Sequence, residues 1–323
     1  MKEQALSIRD LVIAAETAGG LVPLVNGLSL EASKDSITAL VGESGCGKSM
    51  TALAVMGLLP PRVRIISGEI LLDGKRIDNL KEEEYLSYRG RRISMIFQEP
   101  MTSLNPLHTV GNQIAEVYRI HFGDGRRSAM EKAVAMLRKV RIPDPEKRAE
   151  QYPHQMSGGM RQRVMIAIAL AASPELLLAD EPTTALDVTI QAQILDLLRE
   201  LIAEEKETGI LLITHDMGVV AETASRMIVM YAGHEVESGT VRDVFGAPRH
   251  PYTRGLLAAI PHLVEPHERL KAIPGQVPRP GERPQGCAFA PRCTFVKDDC
   301  RTAPIPVFDR GPVKSRCILE KLP

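Results

Sequence analysis

The stretch Gly42-Glu43-Ser44-Gly45-Cys46-Gly47-Lys48-Ser49 fits the phosphate-loop pattern G-x-x-x-x-G-K-[ST] at every fixed position. Successive backbone N–H groups of such a loop converge on phosphate oxygens, so the turn requires glycines that tolerate positive φ. Lys48 is expected to place its charge on the β- and γ-phosphates, and Ser49 its hydroxyl on Mg²⁺. The expected nucleotide contacts in this stretch are Gly42, Ser44, Gly45, Cys46, Gly47, Lys48, Ser49 and Met50.

The residues on either side of this loop favour a functional P-loop over a chance glycine-rich turn. Residues 36–41 form a short apolar run that predicts a buried strand, and residues 48–59 predict a helix that stops at Pro60-Pro61. A helix in this position directs its N-terminal dipole at bound phosphates. The sequence therefore predicts that ATP binds between this strand and this helix.

A second apolar strand, predicted over residues 176–179, delivers two carboxylates at its end, Asp180 and Glu181. Ligands of open α/β sheets bind at the carboxyl ends of strands. Asp180 is expected to hold Mg²⁺ through water, and Glu181 to polarise the attacking water as a general base. Alone, this pair is equally consistent with a solvated acidic turn, but the P-loop in the same chain favours the catalytic interpretation.

Strands and helices alternate along most of the remaining chain. An alternating pattern predicts β-structure at the N-terminus, and Asp73-Gly74 predicts a hairpin turn within 70–77. Residues from about 99 to 157 carry helical periodicity and are interpreted as a helical insertion. Further predicted elements are the strand 93–97, the helix 158–172, the helix 190–205 and the strand 210–214. The predicted fold is an α/β P-loop core with a largely parallel sheet, an antiparallel β-subdomain and a helical subdomain.

Composition and charge limit the classes of partner. The 323 residues include 40 Lys and Arg and 40 Asp and Glu, so the formal net charge is zero. This balance gives no overall attraction to nucleic acid or anionic lipid, and no nucleic-acid partner is expected. No apolar run approaches the ~18 residues that span a bilayer, and the N-terminus lacks the apolar core of a signal peptide. The expected location is the cytosol, unless a partner holds the chain at a membrane.

Residues 157–162 precede a long apolar helix and offer a second phosphate-binding element. Ser157 is a favourable N-cap, and Gly158 and Gly159 expose backbone N–H groups at the helix start. An ordinary capped helix is the simpler interpretation of this stretch alone. Because one chain rarely needs two such elements for one γ-phosphate, we expect a dimer in which this helix meets the ATP held by a second P-loop.

Together these motifs resemble the ATP-binding-cassette (ABC) ATPases over nearly the whole chain. The resemblance makes Gln98 the Q-loop glutamine, which touches Mg²⁺ and the attacking water, and His215 the switch histidine at the γ-phosphate. A lone histidine after a strand is otherwise more often structural. Ala185-Leu186-Asp187 resembles the D-loop, with Asp187 at the nucleotide. The signature-loop contacts to ATP that the resemblance implies are Ser157, Gly158, Gly159 and Gln162, although Met160-Arg161 differs slightly from the usual pattern.

One departure from the family concerns the adenine base. ABC ATPases usually stack adenine on an aromatic residue in the first β-hairpin, and Ala15 occupies that position here. Either another residue supplies the stacking, or base affinity and selectivity are weak. Stacking is worth ~1 kcal/mol, so its loss is compatible with function.

The tail after residue 247 is rich in proline and carries four of the five cysteines. Residues 250–254, 273–275, 286–287 and 291–293 are similar to the C-terminal extension of dipeptide/oligopeptide importer ATPases, a branch that also serves nickel import. Four thiolates can ligate a [4Fe–4S] cluster, and the resemblance implies one. Because the tail is rich in proline and poor in apolar residues, we predict that this cluster is structural and not catalytic. The spacing C-x5-C-x6-C-x16-C lacks the tight pairs of structural zinc sites, but zinc and free thiols remain alternatives. The cysteines concerned are Cys287, Cys293, Cys300 and Cys317.

These expectations describe the ATPase subunit of an importer for peptides or a related solute. An ABC ATPase domain is expected over 1–246, with its helical subdomain at about 99–160, and a C-terminal extension over 247–323. The resemblance implies a second ATPase subunit, identical or related, two transmembrane permease subunits and an extracytoplasmic solute-binding protein, at the cytoplasmic face of the inner membrane.

Three alternatives to peptide import are considered. Nickel or another small solute is the alternative cargo. A soluble non-transport ABC ATPase is less favoured, because the chain has one P-loop and no long heptad run. A non-enzymatic regulatory cassette is less favoured, because both Glu181 and His215 are present.

Overall fold

The computed structural model describes residues 3–99, 103–183, 187–204, 207–260 and 272–322. The described chain divides into two compact units. The first contains the described residues within 1–5, 34–36 and 80–211, and the second those within 6–33, 37–79 and 212–323. The domain boundary expected after residue 246 stays a prediction.

The described residues form twelve strands and eleven α-helices, and two 3₁₀ turns cover Pro153–Gln155 and Ala290–Arg292. The strands are β1 (Gln4–Thr17), β2 (Gly20–Ser33), β3 (Ile37–Val41), β4 (Val63–Leu72), β5 (Lys75–Arg76), β6 (Ile93–Ile96), β7 (Leu176–Asp180), β8 (Gly209–Thr214), β9 (Arg226–Tyr231), β10 (His234–Thr240), β11 (Phe308–Asp309) and β12 (Val313–Ser315). The helices are α1 (Lys48–Val55), α2 (Glu82–Tyr85), α3 (Val110–Phe122), α4 (Arg126–Lys139), α5 (Pro145–Ala149), α6 (Gly158–Leu170), α7 (Val188–Glu204), α8 (Met217–Thr223), α9 (Val241–Gly246), α10 (Pro251–Leu257) and α11 (Asp299–Thr302).

The first unit joins a parallel strand pair to a helical region. Strands β6 and β7 run parallel, pairing Ile93 with Leu176, and both are buried along their whole length. Such continuous burial is typical of a parallel sheet covered on both faces. In the helical region, α4 buries Ala129, Ala133 and Leu137. These residues are spaced four apart and so form one face of the helix.

The second unit contains an antiparallel sheet and a mixed sheet. The antiparallel sheet has the order β2-β1-β4-β5, and in the mixed sheet the neighbours run β11-β12-β10-β9-β3. Strand β3 pairs with β9 in parallel, whereas β10 and β12 are antiparallel to their neighbours. The chain passes from the first unit into the second within β8. These two units confirm the predicted α/β class, with an antiparallel β-subdomain and a helical region.

The backbone conformation at two turns depends on one glycine each, Gly74 and Gly57. The hairpin predicted at Asp73-Gly74 is confirmed, because both residues take positive φ, +47° and +74°, between β4 and β5. The helix predicted over 48–59 instead ends at Val55. Gly57 has a φ of +63°, which stops the helix before Pro60-Pro61 is reached.

The Pro-rich tail shares its core with the strands of the second unit. Strand β12 pairs with β10, placing Ser315 opposite Glu237. Tyr252, Phe289 and Val313 are buried in one hydrophobic cluster with residues of β3 and β9. The tail therefore does not need a separate core of its own. Among the helices that the structure describes, none is both long and apolar enough to cross a bilayer.

Candidate nucleotide-binding and catalytic site

The P-loop lies between β3 and α1 in the second unit, where close packing admits only glycine at two positions. A Cβ atom on Gly42 would lie 2.2 Å from the carbonyl oxygen of Met230. Gly47 has a φ of +109°, and a Cβ atom there would lie 2.9 Å from Val25. The glycines thus serve both the backbone conformation and the close approach of neighbouring strands.

The Lys48 side chain is held inside the loop. It is 5% exposed, and its ammonium donates hydrogen bonds to the carbonyl oxygens of Gly42 (2.7 Å) and Glu43 (3.1 Å). These carbonyls keep a positive charge at the centre of the loop, where phosphates are expected. Ser44, Gly45 and Ser49 are exposed, and Met50 is half-buried. The exposed residues are therefore available to an incoming nucleotide.

Cys46 is a packing residue of the same loop. It is fully buried, and burial raises the pKa of its thiol, with a smaller opposing effect from the Lys48 charge. The thiol is therefore neutral at physiological pH and lacks the thiolate character of a redox sensor.

The acidic pair lies at the end of β7 in the first unit. Asp180 is buried as the last residue of the strand, and Glu181 follows with a φ of +46°. Left-handed backbone at a non-glycine residue is uncommon and occurs often at functional sites. The Gln98 amide donates to the Glu181 carboxylate at 3.0 Å, across 83 residues of sequence. Two side chains that the sequence assigns to the attacking water are thus in direct contact.

The signature stretch begins α6. Ser157 is exposed and caps the helix by accepting a hydrogen bond from the backbone N–H of Met160 at 3.3 Å. Gly158 is also exposed, so the helix start is accessible. A Cβ atom on Gly159 would lie 2.9 Å from Ile190 of α7, which gives this glycine a packing role as well. Gln162 is buried and donates to the carbonyl oxygen of Pro182, next to Glu181.

Two further predicted residues lie at helix starts. Asp187 accepts a hydrogen bond from the N–H of Ile190 at 2.9 Å and so caps α7. Ala185 and Leu186 of the predicted D-loop lie outside the described residues. His215 is exposed directly after β8 in the second unit, and Asp216 beside it caps α8.

Two residues that the sequence alone does not assign to the nucleotide site contact the P-loop. The Tyr252 hydroxyl accepts a hydrogen bond from the Glu43 N–H at 2.9 Å, and Arg292 forms an ion pair with the Glu43 carboxylate at 2.6 Å. Both lie in tail segments that resemble importer ATPases, which is the only signal that singles them out. Ala15, at the family's adenine-stacking position, pairs with Val63 in the β1–β4 ladder.

The four tail cysteines line one cavity of the second unit. Its other lining residues are mostly apolar and include Phe289, Ile305 and Leu319. The backbone also brings two cysteines together, since the N–H of Cys287 donates to the carbonyl oxygen of Cys300 at 2.8 Å. The four residues span 287–317 in sequence, so the fold gathers them. The cysteines are Cys287, Cys293, Cys300 and Cys317.

Burial in this cavity favours the neutral form of three of the thiols. Burial, together with smaller effects of the neighbouring thiols, raises the pKa of Cys287 to about 11. Burial also raises the pKa of Cys293 and Cys317. A coordinated metal deprotonates thiols outright, so this donor set fits an iron–sulfur cluster chemically. Within the described ranges, no three His, Cys, Asp or Glu residues are arranged to hold a single metal ion.

Comparison with known families gives two matches. Residues 25–184 match the family described as ABC transporter, and residues 236–300 match the oligopeptide/dipeptide transporter C-terminal region. The second match contains three of the four tail cysteines as well as Tyr252 and Arg292.

Curated relatives match over almost the whole chain. A probable peptide ABC transporter ATP-binding protein of Sinorhizobium fredii is 51% identical over 298 residues, which cover 92% of this chain and 89% of that protein. A putative peptide import ATP-binding protein of Brucella melitensis is 50% identical over 330 residues, covering 98% and 97%. The similarity therefore includes the tail.

Solved structures share the fold. A dimeric ATP-binding cassette in a post-hydrolysis state, bound to ADP and phosphate, has a TM-score of 0.66 and 25% identity, covering 73% of this chain and 99% of its own. A cassette of Clostridium perfringens, part of an ABC transporter complex, has a TM-score of 0.64 and 26% identity, covering 76% and 92%.

Proposed function

This chain belongs to the ABC transporter ATP-binding proteins and is the ATPase subunit of a peptide importer, and we propose how its residues divide the work of binding and hydrolysing ATP. The match of residues 236–300 to the oligopeptide/dipeptide transporter C-terminal region is the observation that carries the peptide assignment.

The P-loop is proposed to bind the nucleotide phosphates. Its backbone N–H groups surround the β-phosphate, and Lys48 exchanges its two carbonyl partners for phosphate oxygens. Ser49 is exposed at the start of α1, where its hydroxyl would hold Mg²⁺. Asp180 is proposed to contact Mg²⁺ through a water molecule. Gln98 is proposed as a further Mg²⁺ contact. The remaining proposed contacts in the loop are Gly42, Ser44, Gly45, Cys46, Gly47 and Met50.

Glu181 is proposed to activate the attacking water. The hydrogen bond from Gln98 orients its carboxylate, which is proposed to accept a proton from the attacking water. Glu181 has a left-handed backbone conformation directly after the last residue of β7. His215 is proposed to contact the γ-phosphate from its exposed position after β8. Hydrolysis then requires only positioning and electrostatic stabilisation of the transferred phosphoryl group.

A second ATPase subunit is proposed to complete the site. The exposed start of α6, with Ser157, Gly158 and Gly159, supplies N–H groups and a helix dipole for a γ-phosphate held by that subunit. Gln162 and Asp187 are proposed to shape this surface through the contacts that they make within the chain. The dimeric state of a similar solved cassette supports this arrangement.

The transport partners are proposed from the same family membership. Two transmembrane permease subunits would form the path, an extracytoplasmic solute-binding protein would deliver the peptide, and this chain would work at the cytoplasmic face of the inner membrane. An ABC ATPase domain over 1–246 and a C-terminal extension over 247–323 are proposed as the functional division.

Reconstitution with the permeases tests the cargo. We expect the ATPase rate of the assembled complex in nanodiscs to rise when its solute-binding protein is loaded with a di- or oligopeptide. A nickel chelate is the matched control ligand. Stimulation by the chelate and not by peptide would indicate that the complex imports nickel. An ATPase rate that changes with neither the permeases nor the ligands would contradict a role in import.

The tail cysteines are proposed to hold one structural [4Fe–4S] cluster. Support comes from the mostly apolar cavity that all four cysteines line and from the backbone hydrogen bond between Cys287 and Cys300. When bound, the cluster would cross-link 287–317. The cysteines themselves need only be deprotonated and brought together, which the fold does by pairing 287 with 300 through the backbone.

Cys300→Ser is expected to remove the cluster and to lower the melting temperature. The ATP turnover of the protein that remains folded should be affected less, because the cluster is proposed to be structural. Anaerobic purification, iron and sulfide analysis and a visible absorption spectrum measure the cluster. Cys46→Ser is the matched control for metal content, since Cys46 is the one cysteine outside the tail. A colourless wild-type preparation with one equivalent of zinc would overturn the cluster in favour of zinc, and one with no metal would leave free thiols.

A further inference from the structure

Glu43, the second residue of the P-loop, is held by the tail at three points. Its backbone N–H donates to the Tyr252 hydroxyl at 2.9 Å. Its two carboxylate oxygens accept hydrogen bonds from the Arg292 guanidinium at 2.6 and 3.0 Å. Tyr252 and Arg292 lie 209 and 249 residues away in sequence, so these contacts are purely tertiary.

The Arg292 guanidinium is fully engaged. Besides the two bonds to Glu43, it donates to the carbonyl oxygens of Pro274 (2.8 Å) and Ile273 (3.3 Å) and to the Tyr231 hydroxyl (3.3 Å). These five bonds match the five N–H donors that an arginine carries. The hydrogen bonds to Glu43 raise the pKa of the guanidinium still further. Its side chain is only 5% exposed, so the charge is shielded from water and depends on these partners.

An aromatic cluster fixes the position of these two tail residues. The ring centroids of Tyr231 and Tyr252 are 4.7 Å apart, and Phe289 lies 5.2 Å from the first and 5.4 Å from the second. Tyr231 and Tyr252 are fully buried. Arg292 follows Phe289 by three residues on a 3₁₀ turn. The guanidinium is therefore positioned by a closely packed part of the tail.

Glu43 in turn is hydrogen-bonded to the parts of the loop that are expected to contact the phosphates. Its carbonyl oxygen accepts hydrogen bonds from the Lys48 ammonium at 3.1 Å and from the Cys46 N–H at 3.3 Å. A displacement of Glu43 would move both the lysine and the turn. Binding is strongest when the loop is already in its bound conformation, because ordering it on binding costs free energy.

We propose that Arg292 is a positioning residue of the nucleotide site: with Tyr252 it holds Glu43 and thereby preorganises the P-loop for MgATP. The C-terminal extension is then part of the ATP site, in addition to any role of its cysteines. This inference rests on the proposal that the P-loop binds ATP. The alternative is that the Arg292 contacts only stabilise the tail.

The test compares nucleotide affinity with thermal stability in the full chain. We expect Arg292→Gln to weaken binding of a non-hydrolysable MgATP analogue about tenfold by titration calorimetry, the size of one charge-assisted hydrogen bond. Arg292→Lys keeps the positive charge but cannot form the two parallel hydrogen bonds to the Glu43 carboxylate. Its affinity is expected to lie between those of Arg292→Gln and wild type. Because both partners act as one unit, Glu43→Gln combined with Arg292→Gln should bind no more weakly than Arg292→Gln alone.

Two further variants separate positioning from folding. Arg316→Gln is the matched control, since Arg316 is a half-buried arginine of the same tail that donates to the carbonyl oxygens of Glu235 and Ile305 and does not bond to the P-loop in the described contacts. It should lower the melting temperature and leave the analogue affinity unchanged. Tyr252→Phe removes one hydroxyl and should weaken binding about threefold without unfolding the chain.

Three outcomes would overturn the inference: an unchanged affinity in Arg292→Gln, an equal loss in Arg316→Gln, or an unchanged affinity in a folded Tyr252→Phe if Arg292→Gln does not fold. The underlying proposal, that the P-loop binds ATP, would be contradicted by different results. If wild type binds no analogue, or if Lys48→Ala binds it as well as wild type does, then the P-loop assignment is wrong.

Discussion

Glu181→Gln is expected to retain ATP binding and to lose turnover, with kcat about 10²–10⁴-fold lower. The amide has the same size but is a poor base, and its oxygen can still accept the hydrogen bond that Gln98 donates at 3.0 Å. Binding should be preserved because the proposed phosphate contacts of the P-loop do not include Glu181. An ATP-bound dimer should therefore accumulate, which size-exclusion chromatography with MgATP and a steady-state ATPase assay would detect.

Glu200→Gln is the matched control for this result. Glu200 is an exposed residue of α7 in the same unit, paired with Arg141 at the surface. Exposed ion pairs contribute little to stability, so turnover in this variant should match wild type. Glu181→Gln turning over near the wild-type rate would show that another group acts as the base.

Lys48→Ala is expected to reduce MgATP affinity by about 100-fold and to abolish measurable turnover, since the phosphates lose their main point of positive charge. The side chain is almost completely buried, and its ammonium donates to two backbone carbonyls of the loop and to the Cys46 sulfur. The loop glycines and the contacts of Glu43 with Tyr252 and Arg292 remain in this variant, so the chain should still fold. Calorimetric titration of MgATP and a melting curve separate affinity from stability.

Lys75→Ala serves as the control, because Lys75 is an exposed lysine of β5 in the same unit. It should bind and hydrolyse ATP as wild type does. Unchanged affinity together with unchanged hydrolysis in Lys48→Ala would remove the P-loop from the nucleotide site.

Local sequence signals predicted the secondary structure that surrounds the site. The apolar runs before Gly42 and Asp180 became buried strands, and Ser157 caps the helix that its position predicted. Each of these signals lies within a few consecutive residues, where turn conformation and capping bonds are decided. The helix after the P-loop is shorter than expected because one glycine outweighed the propensity of the residues around it.

The sequence by itself determined the P-loop glycines, the acidic pair at a strand end and the four tail cysteines, because each is a pattern of residue types in a short stretch of sequence. Only the tertiary structure decided that Gln98 touches Glu181 and that Arg292 holds Glu43. These pairs are 83 and 249 residues apart. The free-energy cost of closing such loops is met by burial of the surrounding strands and rings, and not by the paired residues, so nothing near either residue in sequence reveals its partner.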